Sequence, residues 1–395
     1  METVTVILAA MLKLFSLYFV GIALFAVKPR PPRPQAAPRT RFACLIAARN
    51  EEAVIGALVE SLTAQHYPAA LFDIYVAPNQ CTDRTEEAAR SAGARILHGM
   101  DPVHCKGDVL HKALQVLHPM DYDAFCIFDA DNVVDPEFLA RMNDAFCAGA
   151  YVAKSRIAAK NPGQSGISGC YAVYHEVFNH LFNQGRENLG LSARLVGTGF
   201  ALHRNFLEQC GGWNTETMTE DAEFAAKCAL LGERVWYVPE AVTYDEAPVE
   251  FGASLHQRLR WCAGIMDNAR RYAKRLFRAL SGTAAWLALD ELLLLLAPYV
   301  QALGLLLAPL TLFVMWRSGM SPVWLLFSLL LPLLGSMLLA SVTVLARRLP
   351  CRWQSVLLFP LFMFSWLPLQ WAALLCPPRS WKPISHGMSA VTPAE

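Results

Sequence analysis

The hydrophobic positions of this 395-residue chain follow two different patterns. Four long runs are almost wholly apolar, at about Val4–Val27, Leu287–Trp316, Val323–Ala346 and Val356–Cys376. Each run is long enough to cross the hydrocarbon core of a bilayer, which needs about 20 residues. Between the first and second runs, short apolar segments alternate with amphipathic ones. The pattern therefore predicts a membrane protein with one large domain outside the bilayer.

Within that domain, short apolar runs typical of buried strands alternate with segments of helical periodicity. This order predicts an α/β fold with a mostly parallel sheet, whose ligands bind beyond the carboxyl ends of the strands. The predicted strands are "FACLIAA" (42–48), "FDIYVA" (72–77), "RILH" (95–98) and "AFCIF" (124–128), and the helices are 51–65, 85–93 and 106–117.

Composition and charge indicate how the chain sits in the membrane. Apolar residues make up 54% of the chain and charged residues 17%. Five basic residues follow the first apolar run, so the positive-inside rule places residues 28–283 in the cytoplasm of a multi-pass cell-membrane protein. The eleven cysteines form no C-x-x-C pair, which suits a reducing compartment. The five basic residues are Lys28, Arg30, Arg33, Arg39 and Arg41.

These patterns divide the chain into consecutive parts. We expect an N-terminal anchor at 1–27, a basic Pro-rich tether at 28–41 and the α/β domain at 42–250. Interfacial amphipathic helices at 251–283 would lie on anionic lipid, because one side of 264–280 is apolar and the other basic. Three further spans at 284–376 and a tail at 377–395 complete the chain. Four crossings, which we favour, would put the tail outside. Arg379 and Lys382 argue for an inside tail, and Pro360 and Pro368 could break the last segment into a re-entrant hairpin.

The fourth strand runs into "FDADN" (128–132), which places Asp129 and Asp131 at its end. Two carboxylates here are costly unless a cation neutralises them, and hard oxygen ligands suit Mg²⁺ or Mn²⁺. Taken alone, D-x-D also fits two solvated loop aspartates. The first strand lacks the G-x-G-x-x-G pattern, so a dinucleotide cofactor is not expected.

Other polar residues gather at the same predicted edge. Asn79 and Asp83 follow the second strand, and Lys106 precedes a helix, where it could neutralise a phosphate. Glu220 and Asp221 open another helix, for which Thr219 is a candidate N-cap. These two acids could equally complement the helix dipole. The Gly-bearing turn "GTGF" (197–200) would permit close backbone approach.

The last candidate group lies just before the second apolar run. Gln257, Arg260 and Trp261 in "LHQRLRWCAG" are spaced i, i+3 and i+4, which places them on one helical face. That face could form a site, or it could anchor the chain at the membrane edge.

In order, "ARNEE", "NQCTDRT", "CKG", "DAD", "TED" and "QRLRW" resemble motifs of the processive family 2 glycosyltransferases, which include cellulose, chitin, hyaluronan and poly-N-acetylglucosamine synthases. The resemblance covers about residues 42–261. It implies a GT-A fold, a UDP-sugar donor and a divalent metal held by Asp129 and Asp131, with Asp131 as the more direct ligand.

The resemblance also implies roles for the remaining residues. Glu51 and Asp83 would contact the uridine, and Lys106 would lie near the nucleotide. Asp221, with Glu220 beside it, matches the general base. Gln257, Arg260 and Trp261 match the face that steadies the diphosphate and stacks on the acceptor sugar. Asn79 stands where relatives often carry an aspartate, which leaves UDP selectivity less certain.

The predicted function is an inverting, membrane-bound transfer of sugar to a growing β-linked glycan, with N-acetylglucosamine as the favoured donor sugar. One base without a second nucleophilic carboxylate predicts direct displacement. Two alternatives are transfer of one sugar to a lipid, as in ceramide glucosyltransferases, and a divalent-cation transporter. The expected partners are the donor, a glycan or lipid acceptor and membrane lipids, and not nucleic acid. A second copy of the chain or an export partner could extend the small membrane part.

Overall fold

The computed structural model describes residues 2–28, 30 and 33–378. The large domain that follows the first apolar helix is built on one eight-stranded sheet with the order β3-β2-β1-β4-β7-β6-β8-β5. The strands are β1 (Phe42–Ala48), β2 (Phe72–Pro78), β3 (Arg95–Ile96), β4 (Ala124–Asp129), β5 (Val133–Val134), β6 (Val152–Ala159), β7 (Phe200–His203) and β8 (Val235–Asp245).

The sheet is parallel where the sequence predicts it and mixed beyond that. β1 pairs in parallel with β2 and β4, and β2 with β3. β7 then enters antiparallel between β4 and β6, with Phe200 opposite Ile127. Because β7 runs the other way, the turn that precedes it lies beside the carboxyl end of β4. The mixed pairing thus brings the "GTGF" turn next to Asp129.

Helices cover both faces of this sheet. Alternate residues of β1 face opposite sides, so that Phe42 and Ile46 join one apolar core and Ala43 and Leu45 the other. The helices of the domain are α2 (Ile55–Thr63), α3 (Thr85–Ser91), α4 (Lys106–Leu117), α5 (Phe138–Cys147), α6 (Gly166–Val177), α7 (Gly185–Leu189), α8 (Arg204–Gln209) and α9 (Glu220–Leu231), and a π-helix, Phe178–Gln184, joins α6 to α7.

The apolar runs form long helices, as predicted. Four helical segments are long and apolar enough to cross a membrane: Thr5–Phe25, Ala285–Arg317, Pro322–Arg347 and Trp353–Leu375. They belong to α1 (Glu2–Phe25), α11 (Ala285–Arg317), α12 (Pro322–Arg347) and the pair α13 (Trp353–Phe364) and α14 (Trp366–Leu375). Arg379 and Lys382, on which the inside-tail argument rests, lie outside the described residues.

The predicted interfacial segment differs from expectation. Residues 251–279 form one continuous helix, α10 (Phe251–Ala279), which carries the Q-x-x-R-W face at one end. The apolar side assigned to lipid is instead buried against protein, with Tyr272 and Leu276 packed on α9 and α11. Tyr272 donates to Glu223 over 2.8 Å. The helix therefore joins the domain to α11, and the basic residues of its second half, from Arg270 to Arg278, are left on the exposed side.

The predicted tether is packed on the domain over its described part. Arg33 donates to the Tyr237 carbonyl at 2.8 Å and pairs with Glu187 at 2.9 Å. Further along, the Ala36 amide donates to Asp144 at 2.8 Å. The described part of the segment between α1 and β1 is therefore held against the domain surface.

A buried ion pair joins the domain to two of the apolar helices. Arg186 of α7 and Asp290 of α11 are 0% and 1% exposed, and their side chains lie 3.1 Å apart. Tyr18 of α1 donates to the same carboxylate at 2.9 Å. The Arg186 guanidinium also lies over the rings of Phe19 and Phe182. Three separate parts of the chain therefore meet at one charge pair.

Asp290→Leu is expected to destabilise the protein by about 3–5 kcal/mol, because it leaves the Arg186 charge buried without its partner. The measurement is the free energy of unfolding, or the thermal midpoint, of the purified protein in detergent. The double variant Arg186→Met/Asp290→Leu serves as the control and should recover most of the loss. Equal stability of the wild type and Asp290→Leu would show that the pair is not needed.

Candidate active site

A deep cleft opens at the carboxyl ends of β1, β2 and β4. Its empty volume is about 2000 Å³, including space open to solvent. The turn before β7, the start of α9 and one face of α10 complete its walls. All the predicted site residues except Asp83 line this cleft: Glu51, Asn79, Lys106, Asp129, Asp131, Glu220, Asp221, Gln257, Arg260 and Trp261.

Asp83 is an exposed residue that organises a loop beside the cleft. Its carboxylate accepts hydrogen bonds from the Thr85 amide at 3.1 Å and the Glu52 amide at 3.1 Å. Burial acts to raise its pKa, but these bonds and that of the Thr85 hydroxyl hold the pKa below its usual value. Thr85 in turn accepts from the Glu51 amide at 2.8 Å. A contact between Asp83 and the uridine stays a prediction.

Negative charge is concentrated around the D-x-D pair. Asp131 is buried at 7% exposure. Burial, reinforced by Asp131 and Asp129, raises the pKa of Glu51 to about 8. Burial and the same two aspartates raise the pKa of Asp245 well above its usual value. A cation at this point would relieve the mutual repulsion of these carboxylates.

The donor set fits a divalent ion that a substrate helps to bind. Among the described residues, no group of three or more His, Cys, Asp and Glu side chains could hold a metal by itself. Mg²⁺ and similar hard ions commonly take only one or two carboxylates and complete their shell with waters and phosphate oxygens. Asp129 and Asp131, which both line the cleft, match that requirement.

Lys106 is bound to acidic groups of the cleft. Its ammonium donates to Asp129 Oδ1 at 2.5 Å and to the Gly197 carbonyl at 2.7 Å, and it lies 3.4 Å from Glu220. Burial acts to lower the pKa of Lys106, but Asp129 and Glu220 more than offset this effect. The lysine therefore carries a positive charge beside the D-x-D pair.

Glu220 and Asp221 occupy different environments although they are adjacent in sequence. Glu220 is buried beside Lys106, and burial raises its pKa to about 7. Asp221 lines the cleft, where its carboxylate accepts from the amides of Gly197 and Ala222. Because Glu220 is engaged by Lys106, Asp221 is the better placed of the two to receive a proton from an acceptor.

Thr219 does not cap α9 with its side chain. Its hydroxyl oxygen instead accepts from Asn268 Nδ2 of α10 at 3.0 Å, and its carbonyl accepts from the same amide at 3.2 Å. A side chain at Gly264 would collide with Thr219. The start of α9, which carries Asp221, is thus fixed to α10, which carries the Q-x-x-R-W face.

The glycine turn connects these groups. Gly197 binds Lys106 through its carbonyl and Asp221 through its amide. Gly199 has a φ of 63°, and a side chain there would collide with the hydroxyls of Thr243 and Ser155. Both observations explain why the turn requires glycine.

Lys154 is a cleft residue that belongs to none of the sequence motifs. It is fully buried on β6, and its ammonium donates to the Thr198 carbonyl at 2.8 Å. Burial lowers its pKa to about 7, although Asp245, Asp221 and Asp129 act in the opposite direction. In the sequence Lys154 is only a lysine within a strand, and its place in the cleft is seen only from the arrangement of the sheet.

The Q-x-x-R-W face points into the cleft as predicted, while Arg258 between its members does not. Gln257 accepts from the Tyr171 hydroxyl at 2.9 Å. Arg260 and Trp261 line the cleft. Arg258 is fully buried, with its guanidinium 4.2 Å from the centroid of the Phe362 ring. One arginine therefore faces the site and the other fastens α13.

The end of the cleft beyond Trp261 is largely aromatic. Tyr174 and Phe178 line it from α6 and the π-helix, and Trp366 lines it from α14. Arg194 lies there as well, with its guanidinium 5.4 Å from the Phe178 ring centroid. Sequence reasoning missed these residues because they come from segments distant from every motif. π-helices frequently mark functional sites.

Comparison with known proteins gives distant relatives over the same region. The chain is 26% identical over 252 residues to a probable glycosyltransferase, YdaM, of Bacillus subtilis, which covers 60% of this chain and 58% of that protein. It is 28% identical over 235 residues to the beta-monoglucosyldiacylglycerol synthase of Synechocystis, covering 58% and 48%. The match thus spans about half the length of these curated relatives.

A solved structure has the same fold. It is a mannosyltransferase from Pyrobaculum calidifontis in complex with GDP-Man and Mn²⁺, with a TM-score of 0.62 and 18% identity. The similarity covers 95% of this chain and 99% of that one. The fold is therefore GT-A with appended apolar helices. Residues 38–264 match the family described as glycosyltransferase like family 2, which is more than half of the chain, and the protein belongs to that family.

Proposed function

We propose that this protein transfers a sugar, with inversion, from a UDP-sugar to the hydroxyl group of a membrane lipid. The observation that carries the proposal is one continuous cleft. It holds the D-x-D pair, Asp221 and the Q-x-x-R-W face, and it ends in aromatic side chains contributed partly by an apolar helix. The family supports sugar transfer, and the aromatic end supports a lipid acceptor.

The environment of Asn79 supports a base with an imino N–H, such as uracil. The side-chain amide donates to the Ala48 carbonyl at 2.9 Å, which leaves its oxygen as the acceptor for the base. Cytosine offers an acceptor at the corresponding ring position, so it would not be matched. Asparagine thereby takes over the acceptor role that an aspartate would otherwise have.

Asp129 and Asp131 are the residues that would hold a divalent ion, and Mn²⁺ in the Pyrobaculum structure is consistent with such a cofactor. When bound, the ion would supply charge neutralisation for the departing diphosphate. Arg260 contributes a fixed positive charge from the other wall of the cleft. Together these groups favour breakage of the sugar–phosphate bond.

Asp221 is proposed as the general base. The acceptor hydroxyl is a poor nucleophile, and a carboxylate within hydrogen-bond reach can take its proton as the new bond forms. The two amides that bind Asp221 fix the orientation of the carboxylate. Attack from the face opposite the leaving diphosphate converts an α-linked donor into a β-linked product.

The arrangement of the apolar helices favours a lipid over a polymer. In the most apolar windows of α1 and α12, only 6% of the residues are buried within the chain. Over the described residues, few side chains of these two helices are therefore enclosed by the rest of the chain, which offers little wall for a polysaccharide conduit. The Synechocystis relative is named for a glucosylated diacylglycerol, which agrees with this choice.

A β-linked glycan, which is the first prediction from the sequence motifs, is here the second candidate. Its supporting observation is Trp261 in the cleft, because a sugar stacked on an aromatic ring can shift by one unit without losing every contact. Under this alternative, the acceptor end would hold the growing chain. A transporter is less well supported, since the acidic groups lie in the domain cleft.

The test is product analysis. Membranes containing the protein are incubated with radiolabelled UDP-sugars, GDP-sugars and Mg²⁺ or Mn²⁺, and the products are analysed by mass after lipid extraction. We expect a UDP-sugar to yield a lipid heavier by one sugar, with none in an Asp221→Asn control. A ladder of longer chains would instead support the glycan synthase, and use of GDP-sugars alone would contradict the assignment of the base.

A further inference from the structure

The helix pair α13–α14 is the most deeply buried of the four apolar segments. By length and composition, residues 353–375 could cross a membrane. Yet 39% of the residues in their most apolar window are buried within the chain, against 28% for α11 and 6% for each of α1 and α12. The parts of the protein that contact these buried residues show where the helix pair lies.

The first part of α13 lies on the catalytic domain. Just before it, Arg352 donates to the Gly163 carbonyl at 2.8 Å. Ser355 is fully buried against α6, where its carbonyl accepts from the Cys170 thiol at 3.4 Å. A side chain on Gly169 would overlap Ser355. This close approach of helix backbones requires glycine and fixes α13 to α6.

The middle of the pair lies at the cleft. Arg258 of α10 donates to the Phe362 carbonyl at 2.8 Å, near the junction of the two helices. Four residues later, Trp366 stacks on Trp261, with ring centroids 6.2 Å apart and planes at 23°. Trp366 also stacks on Tyr174 at 6.1 Å and 27°. Trp366 is therefore held between the Q-x-x-R-W face and α6.

The last part follows α10 and α11. Leu369 and Ala373 pack on Cys262 and Met266 of α10. Trp371 donates to the Ala302 carbonyl of α11 at 3.0 Å. The pair thus keeps contact with protein along its whole length, and its middle borders the site of chemistry.

These contacts are incompatible with a simple crossing. The turns from Ser355 to Trp366 already cover about 17 Å of helix, and both ends of that stretch touch the catalytic domain. A crossing helix must instead leave the domain and traverse roughly 30 Å of hydrocarbon. We propose that α13–α14 lies at the membrane surface beneath the cleft, on the side of the catalytic domain, and that Trp366 contacts the acceptor.

The placement resolves the conflict over the tail. With crossings at α1, α11 and α12 alone, the C-terminus returns to the side of the catalytic domain. The sequence from 379 onward carries Arg379 and Lys382, and the positive-inside rule favours that side for them. The acceptor role of Trp366 rests on the proposed function, whereas the position of the helix pair does not.

Topology is tested by cysteine labelling of the full chain in intact cells, in a Cys376→Ser background. Ser318→Cys, in the exposed turn between α11 and α12, should react with a membrane-impermeant maleimide. Ala394→Cys, in the tail, should react only after permeabilisation. Labelling of Ala394→Cys in intact cells would overturn the placement, because it requires a fourth crossing.

The role of Trp366 is tested by comparing sugar transfer with hydrolysis of the donor in the purified protein. Trp366→Ala should lower kcat/KM for the lipid acceptor by about tenfold or more, since a stacked aromatic wall is lost. Donor hydrolysis should persist, and Trp366→Phe should recover part of the transfer. The matched control is Trp353→Ala, at an exposed position of α13 away from the cleft.

The outcomes distinguish the acceptor contact of Trp366 from the placement of α13–α14 at the membrane surface. An unchanged ratio of transfer to hydrolysis in Trp366→Ala would overturn the acceptor contact. A ladder of glycans in the wild type would contradict the lipid acceptor, while the labelling result would still decide the placement of α13–α14.

Discussion

Replacing Asp221 by asparagine is expected to lower sugar transfer by about 10²–10⁴-fold, the usual contribution of a general base. Asparagine keeps the shape of the side chain, but its single oxygen can accept from only one of the two amides, those of Gly197 and Ala222, that bind the two carboxylate oxygens of Asp221. It cannot take the proton of the acceptor hydroxyl. The measurement is the rate of product formation at saturating donor, together with binding of the donor by calorimetry.

Donor binding by Asp221→Asn should stay close to that of the wild type, because Asn79, the residue proposed to contact the base, lies at another part of the cleft. Asp121→Asn is the matched control, since the Asp121 side chain is 96% exposed and lies outside the cleft. Retention of more than roughly a hundredth of the wild-type rate would argue against a general base.

Asp131→Ala is expected to remove the response to divalent ions and to weaken nucleotide binding. Loss even of an outer-shell partner typically costs about 10–100-fold in metal affinity, so loss of a ligand should cost at least as much. The measurements are UDP affinity with and without Mn²⁺, and activity across a Mn²⁺ titration.

The wild type should lose activity in EDTA and regain it when Mn²⁺ is restored. Asp121→Ala should respond to both treatments like the wild type. Activity that EDTA leaves untouched in the wild type would be evidence against metal binding by Asp129 and Asp131, whatever the variant does.

Local patterning predicted those elements of the fold that depend on local sequence. β1 begins and ends at the predicted residues, and α4 spans 106–117 as expected. The alternation of β1 residues between two cores makes such a strand easy to recognise. β7 was not predicted as a strand because its four residues carry too little pattern. Its antiparallel position depends on its pairing with β4 and with β6, which are distant from it in the chain.

The site residues were also predictable only where they belong to local sequence motifs. Residues in motifs, such as Asp129 and Trp261, come together because strand ends and helix starts meet at one sheet edge. Lys154 and Trp366 belong to no motif, and only tertiary packing brings them to the cleft. Amphipathicity alone likewise could not show that the apolar side of α10 packs on α11 rather than on lipid.

The ion pair between Arg186 and Asp290 has a consequence for substrate choice. Because Tyr18 of α1 shares the same carboxylate, the catalytic domain is clamped to two apolar helices at once. A domain clamped in this way cannot rock freely toward or away from the bilayer, so Asp221, the proposed base, is held at one depth. The enzyme would then select acceptors by the depth of their hydroxyl group in the membrane. A lipid whose hydroxyl rests at that level would react, and one of similar chemistry whose hydroxyl is recessed among the acyl chains would be passed over.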